Sequence, residues 1–500
     1  MDDTATSAPS ASWAGEELRS TLKFLAMPAC IAAFPVVLGV QLPSIVLYGA
    51  AGIVGLILIN RLMRDPEWLM AAAIIYLPLN MMFVVPIGPG LNATNILLIL
   101  LLFAYYRYGR ERDEPKLAPF ATLVRAYMIM TLLSVVTAVI TMGPGFIAER
   151  TLDVKGWLDQ FIIFFVFLNL IRDANMARRM AVYMMLGSVV VAALGFQEWL
   201  EKRDYSSMEK SRLLGPQLQP NDFGAFVAYA SAPFLALALN NWRRLKPLMV
   251  AVPYLFVSAR LLIATYSRGA YLGMALAGIV ASYVRSKTFL LAGILIGAAV
   301  VVTMPEVLPE SVVARMSQTA AQPASDIGGE KLDNSSQTRL ILWKAALTMT
   351  AYSPVFGWGF RTFPHFKGDF TETQVHESDN HNMYLYLSSQ MGVPAVVLLL
   401  LIFWRLYSAG VFVFRRNTDP FTRVIGMSAA AMAAAAFLVN MFGSRMVDIC
   451  VTVHIWIMLA IIANLRATTP ATPAGEVSVD SRPRTWSDVR AEEERATGPA

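Results

Sequence analysis

The sequence predicts an all-α polytopic integral membrane protein with about 14 (12–14) transmembrane helices. Its 500 residues are 56% hydrophobic and only 15% charged, whereas a soluble chain carries about 25% charged residues. The apolar residues come in runs close to the length of about 17–25 residues that a helix needs to cross a bilayer. Glycine, proline and cysteine number 31, 27 and 2, which excludes collagen, a disordered chain and a disulfide-rich scaffold.

Fourteen apolar runs are long enough to be predicted as spans, although the fourth and the tenth are short. They cover residues 22–41, 43–60, 67–87, 93–108, 119–141, 156–172, 179–199, 222–240, 247–265, 269–284, 287–305, 382–404, 423–443 and 446–465. One large polar segment separates the first eleven runs from the last three. This segment is expected on the outer side of the membrane.

Lysine and arginine concentrate in alternate loops, as they do on the cytoplasmic side of membrane proteins. The loop with Arg107, Arg110 and Lys116 follows the fourth span, whereas the outer turn at 88–92 carries neither residue type. The N-terminus is acidic and polar and does not resemble a cleavable signal peptide. Both termini are therefore expected in the cytoplasm. Three short outer segments break the pattern with positive residues, at 142–155, 200–221 and 266–268.

The predicted organisation has five parts. They are a polar cytoplasmic N-terminus at 1–21, eleven spans in 22–305, an outer loop at 306–381, three spans in 382–465, and a tail at 466–500. The tail is rich in proline, threonine and glutamate, which predicts a disordered cytoplasmic segment. Within the outer loop, the sequence from Ser336 to Leu347 predicts an amphipathic helix that lies at the membrane surface, with Ser335 or Ser336 as its N-cap. The glycines around Trp358 are expected to end it.

Histidine is scarce and unevenly distributed. Of the four histidines, three lie in the outer loop, at positions 365, 376 and 381. His376 and His381 lack the spacing of a helical zinc motif and have no cysteine nearby, so a metal site is not favoured. His365 and His376 are equally well interpreted as loop residues without a role. His381 differs because it precedes the twelfth span, where an imidazole can act as a general base near neutral pH.

Four arginines are expected on the same outer side: Arg212, Arg260, Arg268 and Arg339. A guanidinium binds phosphate oxygens in a bidentate fork and stays charged when it is partly desolvated. The alternative for each is an arginine that reaches toward lipid head groups. Gly269 follows Arg268 and would permit a close backbone approach, which such a lipid-facing arginine would not need.

These motifs together resemble a known family. Ser267-Arg268-Gly269, the Arg339 to Trp343 helix with Gly357-Trp358-Gly359, and His381-Asn382 with Gly392 are similar, in that order, to the O-antigen ligase and polysaccharide polymerase superfamily. Arg212-x2-Gly215 with Pro220-Asn221 also resembles the stretch ahead of that family's central spans. The resemblance covers about residues 205–405. Ala395 stands where the ligase version commonly has a second glycine, and this departure, with the span count, slightly favours a polymerase.

The resemblance implies an inverting glycosyl transfer at the periplasmic face of a bacterial inner membrane, without metal or cofactor. The implied donor is a glycan on undecaprenyl diphosphate, and the acceptor is a sugar hydroxyl on lipid A core or on another lipid-linked chain. Other polysaccharide-assembly membrane proteins are implied as partners. In this scheme His381 is the base, Arg268, Arg339, Arg212 and Arg260 bind the diphosphate, and Asn382, Asn221 and Gly269 support them.

Two other functions fit parts of the pattern. A polytopic chain can be a transporter of small solutes or anions, and it can also be a non-enzymatic assembly scaffold. Against transport, the spans lack ionisable residues at the depth where transporter sites lie, apart from Arg125 and Asp448 near span ends. No tract of basic and aromatic residues suggests a nucleic-acid partner.

Overall fold

The computed structural model describes residues 64–83, 92–109, 117–205, 207–303, 334–371 and 375–470. The chain divides into two compact units, Met1–Pro66 and Glu67–Ala500, and nearly all the described residues belong to the second. The predicted spans 22–41 and 43–60 lie outside the described residues. So do most of the polar stretch at 318–336 within the outer loop and nearly all of the tail at 466–500.

Every regular element in these described ranges is a helix. The helices are α1 (Pro66–Tyr76), α2 (Ala93–Ala104), α3 (Ala118–Met142), α4 (Pro144–Glu149), α5 (Thr151–Leu170), α6 (Ala174–Lys202), α7 (Met208–Ser211), α8 (Pro220–Ala230), α9 (Ala232–Asn240), α10 (Leu245–Ala264), α11 (Arg268–Arg285), α12 (Lys287–Thr303), α13 (Asn334–Tyr352), α14 (Phe363–Phe366), α15 (Met383–Met391), α16 (Val393–Arg416), α17 (Pro420–Val439) and α18 (Ile449–Thr468). Short 3₁₀ turns follow α1 and α14, at Leu77–Leu79 and Lys367–Phe370, and a π turn, Tyr105–Gly109, follows α2.

Seven of the described helical segments are long and apolar enough to cross a membrane. They are Ala118–Met142, Ala174–Lys202, Pro220–Asn240, Leu245–Ala264, Val393–Arg416, Pro420–Val439 and Ile449–Thr468. Two shorter apolar helices, Pro66–Leu79 and Ala93–Gly109, accompany them. The predicted all-α membrane architecture is confirmed at this level, whereas the count of fourteen spans stays a prediction.

The last helix, α18, lies at the centre of the described bundle. In its most apolar stretch 94% of the residues are buried, against 28% in α3, whose apolar side chains face outward as lipid contacts require. The second most buried span, α17, is rich in alanine and packs closely on α16. A Cβ added to Gly410 of α16 would lie 2.5 Å from the carbonyl oxygen of Gly426. Small residues therefore allow the close backbone approach that drives helix association in membranes.

The predicted twelfth span is wrong in its bounds. The apolar run at 382–404 contains two helices, because Gly392 has φ 85 and ends α15 in the left-handed region. Pro394 then stands in the first turn of α16. The helix long enough to cross the membrane thus runs over Val393–Arg416, and hydropathy alone could not show the break.

The helix predicted after residue 334 is present as α13, whereas its position at the membrane surface stays a prediction. It begins at Asn334, so Ser335 and Ser336 belong to its first turn and the prediction that one of them is the N-cap is wrong. Leu342, Ala346 and Met349 form one buried stripe on this helix. They pack with Phe363 and with partly buried side chains that include Leu385 of α15. This packing holds the outer segment against the start of α15.

Candidate functional site

His381 stands at the entrance to α15 in a constrained backbone conformation. Its φ of 54 lies in the left-handed region, which non-glycine residues adopt rarely. The next residue, Asn382, caps α15: its Oδ1 accepts hydrogen bonds from the backbone N–H of Tyr384 at 3.0 Å and of Leu385 at 3.2 Å. The backbone N–H of Met383 donates to the carbonyl of Asn440 at 2.8 Å. The position of His381 is therefore fixed by the helix that follows it.

A carboxylate faces one nitrogen of this imidazole. Nδ1 of His381 lies 3.6 Å from Oδ2 of Asp379. The other oxygen of Asp379 accepts a 2.8 Å hydrogen bond from the hydroxyl of Ser444, which follows α17. A carboxylate on this side favours the tautomer with its proton on Nδ1, which leaves Nε2 able to accept a proton. The side chains of His381 and Asp379 are 30% and 33% exposed, so a substrate can reach them.

The pKa of His381 lies below that of free imidazole. The largest cause is burial, and the positive charges of Arg339 and Arg445 lower the pKa further, while Asp379 and Glu377 raise it. His381 is therefore neutral at neutral pH and able to act as a base.

A buried ion pair lies beside these residues. A guanidinium nitrogen of Arg445 contacts the carboxylate of Asp222 near the start of α8, and the two side chains are only 8% and 15% exposed. The backbone N–H of Arg445 donates to Oδ1 of Asn440 at 3.1 Å. The loop 440–448 thus joins α8 to the neighbourhood of His381. Arg445 is not among the predicted residues, because its only signal in the sequence is a charge in the short break between two apolar runs.

Arg212 contacts the short segment that joins α10 to α11, at the end of which Arg268 lies. Arg268 is the first residue of α11. Nε of Arg212 donates to the carbonyl of Thr265 at 3.1 Å, three residues before Arg268. Gly269 is buried, and a Cβ there would lie 2.7 Å from Cβ of Phe442. The close approach that Gly269 permits is therefore to the loop 440–448.

The other predicted residues differ in their surroundings. Arg339, in the second turn of α13, is near enough to lower the pKa of His381. Asn221 is half-buried in the first turn of α8, next to Asp222. Arg260 is exposed on α10, and its guanidinium carbon lies 4.9 Å from the ring centre of Trp199. The structure therefore gives Arg260 a partner on α6 rather than one beside His381.

The remaining histidines have other surroundings. His365 is exposed, and its Nε2 lies 3.3 Å from Nη2 of Arg150. His376 is exposed. His454 is buried in α18, with Nε2 3.3 Å from the carbonyl of Ile74. Within the described part of the chain, no three histidine, cysteine or acidic side chains form a group that could hold a metal ion.

The tryptophan motifs support α15. The backbone N–H of Trp358 donates to the carbonyl of Ser389 at 2.9 Å, and that of Gly359 donates to the carbonyl of Gln390 at 3.0 Å. These bonds satisfy carbonyls in the last turn of the helix, which have no partner within it. At the other end, Nε1 of Trp343 donates to the carbonyl of Asn380 at 2.8 Å. Both ends of the segment that carries His381 are thus held by the outer loop.

Comparison with known families bears on this same segment. Residues 253–400 match the family described as O-antigen ligase. This stretch is therefore similar to that family. The match confirms the resemblance to the ligase and polymerase superfamily and supports a multi-pass membrane enzyme that transfers glycans. No curated protein matches the chain.

The matched stretch contains His381, Arg268 and Arg339, but not all of the charged residues around His381. Asp222 of α8 and the segment Ser444-Arg445 lie outside residues 253–400 and complete this set through Asp379 and the buried ion pair. The site is therefore assembled from the matched stretch and from helices on either side of it in the sequence.

Proposed function

We propose that this protein transfers a glycan from undecaprenyl diphosphate to a sugar hydroxyl at the periplasmic face of the inner membrane. The observation that carries the proposal is the contact of His381 with Asp379 beside Arg339, within the stretch similar to the O-antigen ligase family. The acceptor is another lipid-linked glycan for a polymerase, which we favour slightly, or lipid A core for a ligase. Other membrane proteins of polysaccharide assembly are its expected partners.

The proposed reaction is a single displacement that inverts the anomeric centre. Nε2 of His381 takes the proton of the acceptor hydroxyl, while the acceptor oxygen forms a bond to the anomeric carbon. The bond from that carbon to the diphosphate oxygen breaks, and the electron pair leaves with undecaprenyl diphosphate. Asp379 stabilises the imidazolium that results, as a carboxylate does behind a catalytic histidine. The proton is then released to solvent, to which His381 is partly open.

Arginines are proposed to neutralise the diphosphate. Arg268 and Arg212 lie on adjoining outer segments, since Arg212 bonds to Thr265. Arg339 adds a third positive charge from α13. Guanidinium groups aimed at a leaving diphosphate stabilise the charge that develops on it, so metal-independent transfer is expected. For Arg260 the contact with Trp199 supports the alternative of a lipid-facing arginine.

Asn382 and Asn221 are proposed to help position the acceptor oxygen. Asn382 caps α15 with its side chain and so fixes the approach to His381. Asn221 lies next to Asp222 on the other side of the loop 440–448 and has an amide that can donate to a sugar or phosphate oxygen.

A reconstituted assay tests the function. The purified full-length protein in lipid nanodiscs would be given a labelled undecaprenyl-diphosphate oligosaccharide, without nucleotide and with a metal chelator. Chain extension with the donor alone is expected for a polymerase, and transfer only after lipid A core is added is expected for a ligase. Absence of product with both acceptors, from well-folded protein, would contradict the proposal. His376→Ala protein is the matched positive control and is expected to remain active.

A further inference from the structure

Arg361 adopts a backbone conformation that does not suit an arginine. Its φ is 61, in the left-handed region that glycine enters readily and bulkier residues rarely. It follows the turn at Gly357–Phe360, whose two glycines also have positive φ. Strained residues of this kind persist where the side chain is needed, because any glycine would relieve the strain. The conformation therefore suggests that the guanidinium of Arg361 has a function.

The guanidinium of Arg361 is only partly satisfied. Nη2 lies 3.7 Å from Oδ1 of Asp153 on α5, which is beyond hydrogen-bond distance. Nε is buried and has no hydrogen-bond partner among the described residues. The two side chains are 32% and 45% exposed, so a ligand can reach the pair. An arginine with five donors thus faces an open carboxylate with few of those donors in use.

The pair lies near α15, the helix that begins beside His381, because Trp157 of α5 stacks on Tyr386 of α15 and contacts Phe360 edge to face. Burial lowers the pKa of Arg361, but Tyr386 and the carboxylates of Asp153, Asp448 and Asp379 together raise it above its ordinary value. Asp379 is also the carboxylate that faces His381, so Arg361 and His381 share a neighbour.

Arg361 belongs to the α3 and α5 side of the molecule. The backbone N–H of the preceding residue, Phe360, donates to the carbonyl of Ser134 in α3. Arg212 and Arg268, in contrast, flank α10. The loop 440–448 contacts both sides, through Gln160 of α5 and Asp222 of α8. The loop 440–448 therefore connects the side of Arg361 and Asp153 with the segment that carries Arg268, since its Phe442 approaches Gly269.

We infer that Arg361 and Asp153 bind the acceptor sugar through its vicinal hydroxyl groups, an assignment that rests on the proposed function. A carboxylate accepts from a hydroxyl and a guanidinium donates to one, so the pair matches the donor and acceptor pattern of neighbouring sugar hydroxyls. An uncharged acceptor sugar is favoured because Asp153, Asp379 and Asp448 offset the positive charge of Arg361 and would repel an acid group.

Replacing Arg361 separates binding from folding. Arg361→Gly and Arg361→Asn remove the guanidinium while accepting the left-handed backbone, so both should keep or raise the thermal midpoint of unfolding. At saturating donor, each should raise the KM for the acceptor about tenfold or more, with a smaller change in kcat. Asp153→Asn should raise the acceptor KM in the same direction. Arg150→Asn, another arginine of the outer segments, is the control and should leave the KM for the acceptor unchanged.

A binding measurement keeps this inference separate from the proposed reaction. The probe is the lipid-free oligosaccharide released from the host cell's own polysaccharide, titrated into wild-type, Arg361→Gly and Arg150→Asn protein. Weaker binding by about tenfold only in Arg361→Gly supports the inference even if no transfer is detected. Equal binding by wild type and Arg361→Gly, or no binding by wild type, overturns it even if transfer is observed. A fall in thermal stability with unchanged binding would assign Arg361 a purely structural role and also overturn it.

Discussion

At the scale of single residues, the orientation of His381 depends on Asp379 on one side and on the cap at Asn382 on the other. The imidazole is held before any substrate arrives, which is what a general base requires. A hydrogen-bonding role without proton transfer would use the same position, so the two roles need variants that distinguish them.

His381→Ala should lower turnover by about 10²–10⁴, because that is the usual contribution of a positioned base. His381→Gln should be nearly as poor, since glutamine can donate and accept hydrogen bonds but cannot take the proton. The wild-type rate should fall as pH decreases, with a midpoint below the ordinary imidazole pKa of about 6.5, because burial, Arg339 and Arg445 lower the pKa of His381. The lowered pKa places the loss of the neutral, active form at more acidic pH.

Steady-state rates across a pH series measure both effects. Near-wild-type turnover in His381→Gln, with the acidic limb unchanged, would eliminate His381 as the base. His376, exposed in the same loop, is the control. If His376→Ala were inactive while His381→Ala stayed active, the assignment of the base to His381 would be wrong.

Arg268 offers a second test at this scale. Arg268→Ala should abolish transfer while the protein still inserts, because a leaving diphosphate would lose a positive charge. Arg268→Lys should also be poor, since an ammonium lacks the planar fork that binds two oxygens. Arg339 variants should behave similarly and Arg212 variants more mildly. Full activity of Arg268→Lys in the transfer assay would show that bidentate binding is not required.

At the scale of secondary-structure elements, the turn after α13 docks on the end of α15. Gly392 has φ 85, and a Cβ there would lie 2.1 Å from the carbonyl oxygen of Val355. Gly357 is equally confined, with a Cβ 2.3 Å from the carbonyl carbon of Gln390. These contacts give the glycines of the sequence motifs a packing role. They also link the helix that carries Arg339 to the helix that begins beside His381.

Gly392→Ala should therefore lower both the thermal midpoint and the activity, because the added methyl group forces Val355 and α15 apart at an already strained backbone. A cost of about 1–3 kcal/mol is expected for such strain. Gly368→Ala is the matched control, since no atom lies within 4 Å of a Cβ at that exposed glycine. Thermal unfolding in detergent compares the two, and equal stability of Gly392→Ala and Gly368→Ala would show that the docking does not hold α15.

At the scale of the whole molecule, the all-α membrane architecture could be predicted because long apolar runs have few other solutions in one chain. The predicted end of α13 holds only approximately, since the helix ends at Tyr352, before the glycines at Gly357 and Gly359 that were expected to end it. The boundary at Gly392 did not show, because an apolar run continues on both sides of a left-handed turn. Hydropathy indicates which residues are buried in lipid or protein, but it does not show where the backbone turns within an apolar run.

The candidate site was predictable only in part, for a related reason. His381, Arg268 and Arg339 stand next to glycines or helix starts, so local sequence marks them. Ser444 and Asp379 meet across 65 residues of chain, and Arg445 reaches Asp222 across 223 residues. Contacts between residues so far apart in the sequence form only when the helices pack, so no local sequence pattern predicts them.

The orientation of the whole molecule is still a prediction from the lysine and arginine distribution, and cysteine labelling tests it. Ser378→Cys lies before α15 and Thr418→Cys lies after α16, and both positions are exposed, small and uncharged. An impermeant maleimide applied to spheroplasts should label Ser378→Cys, and should label Thr418→Cys only after the membrane is permeabilised. The unmodified chain sets the background, to which Cys450 should add little because it is buried.

Each other labelling pattern contradicts a different part of the proposed topology. Labelling of Thr418→Cys alone would place His381 and the arginines in the cytoplasm, away from the face where the proposed transfer occurs. Labelling of both positions in intact spheroplasts would mean that α16, although 24 residues long and apolar, does not cross the membrane. Labelling of Ser378→Cys alone, the expected pattern, would put the Asp379–His381 pair on the outer side. The positive residues of α13 and of the turn at 266–268 would then lie on the same side as the substrate, whereas the positive loops that orient the protein lie in the cytoplasm.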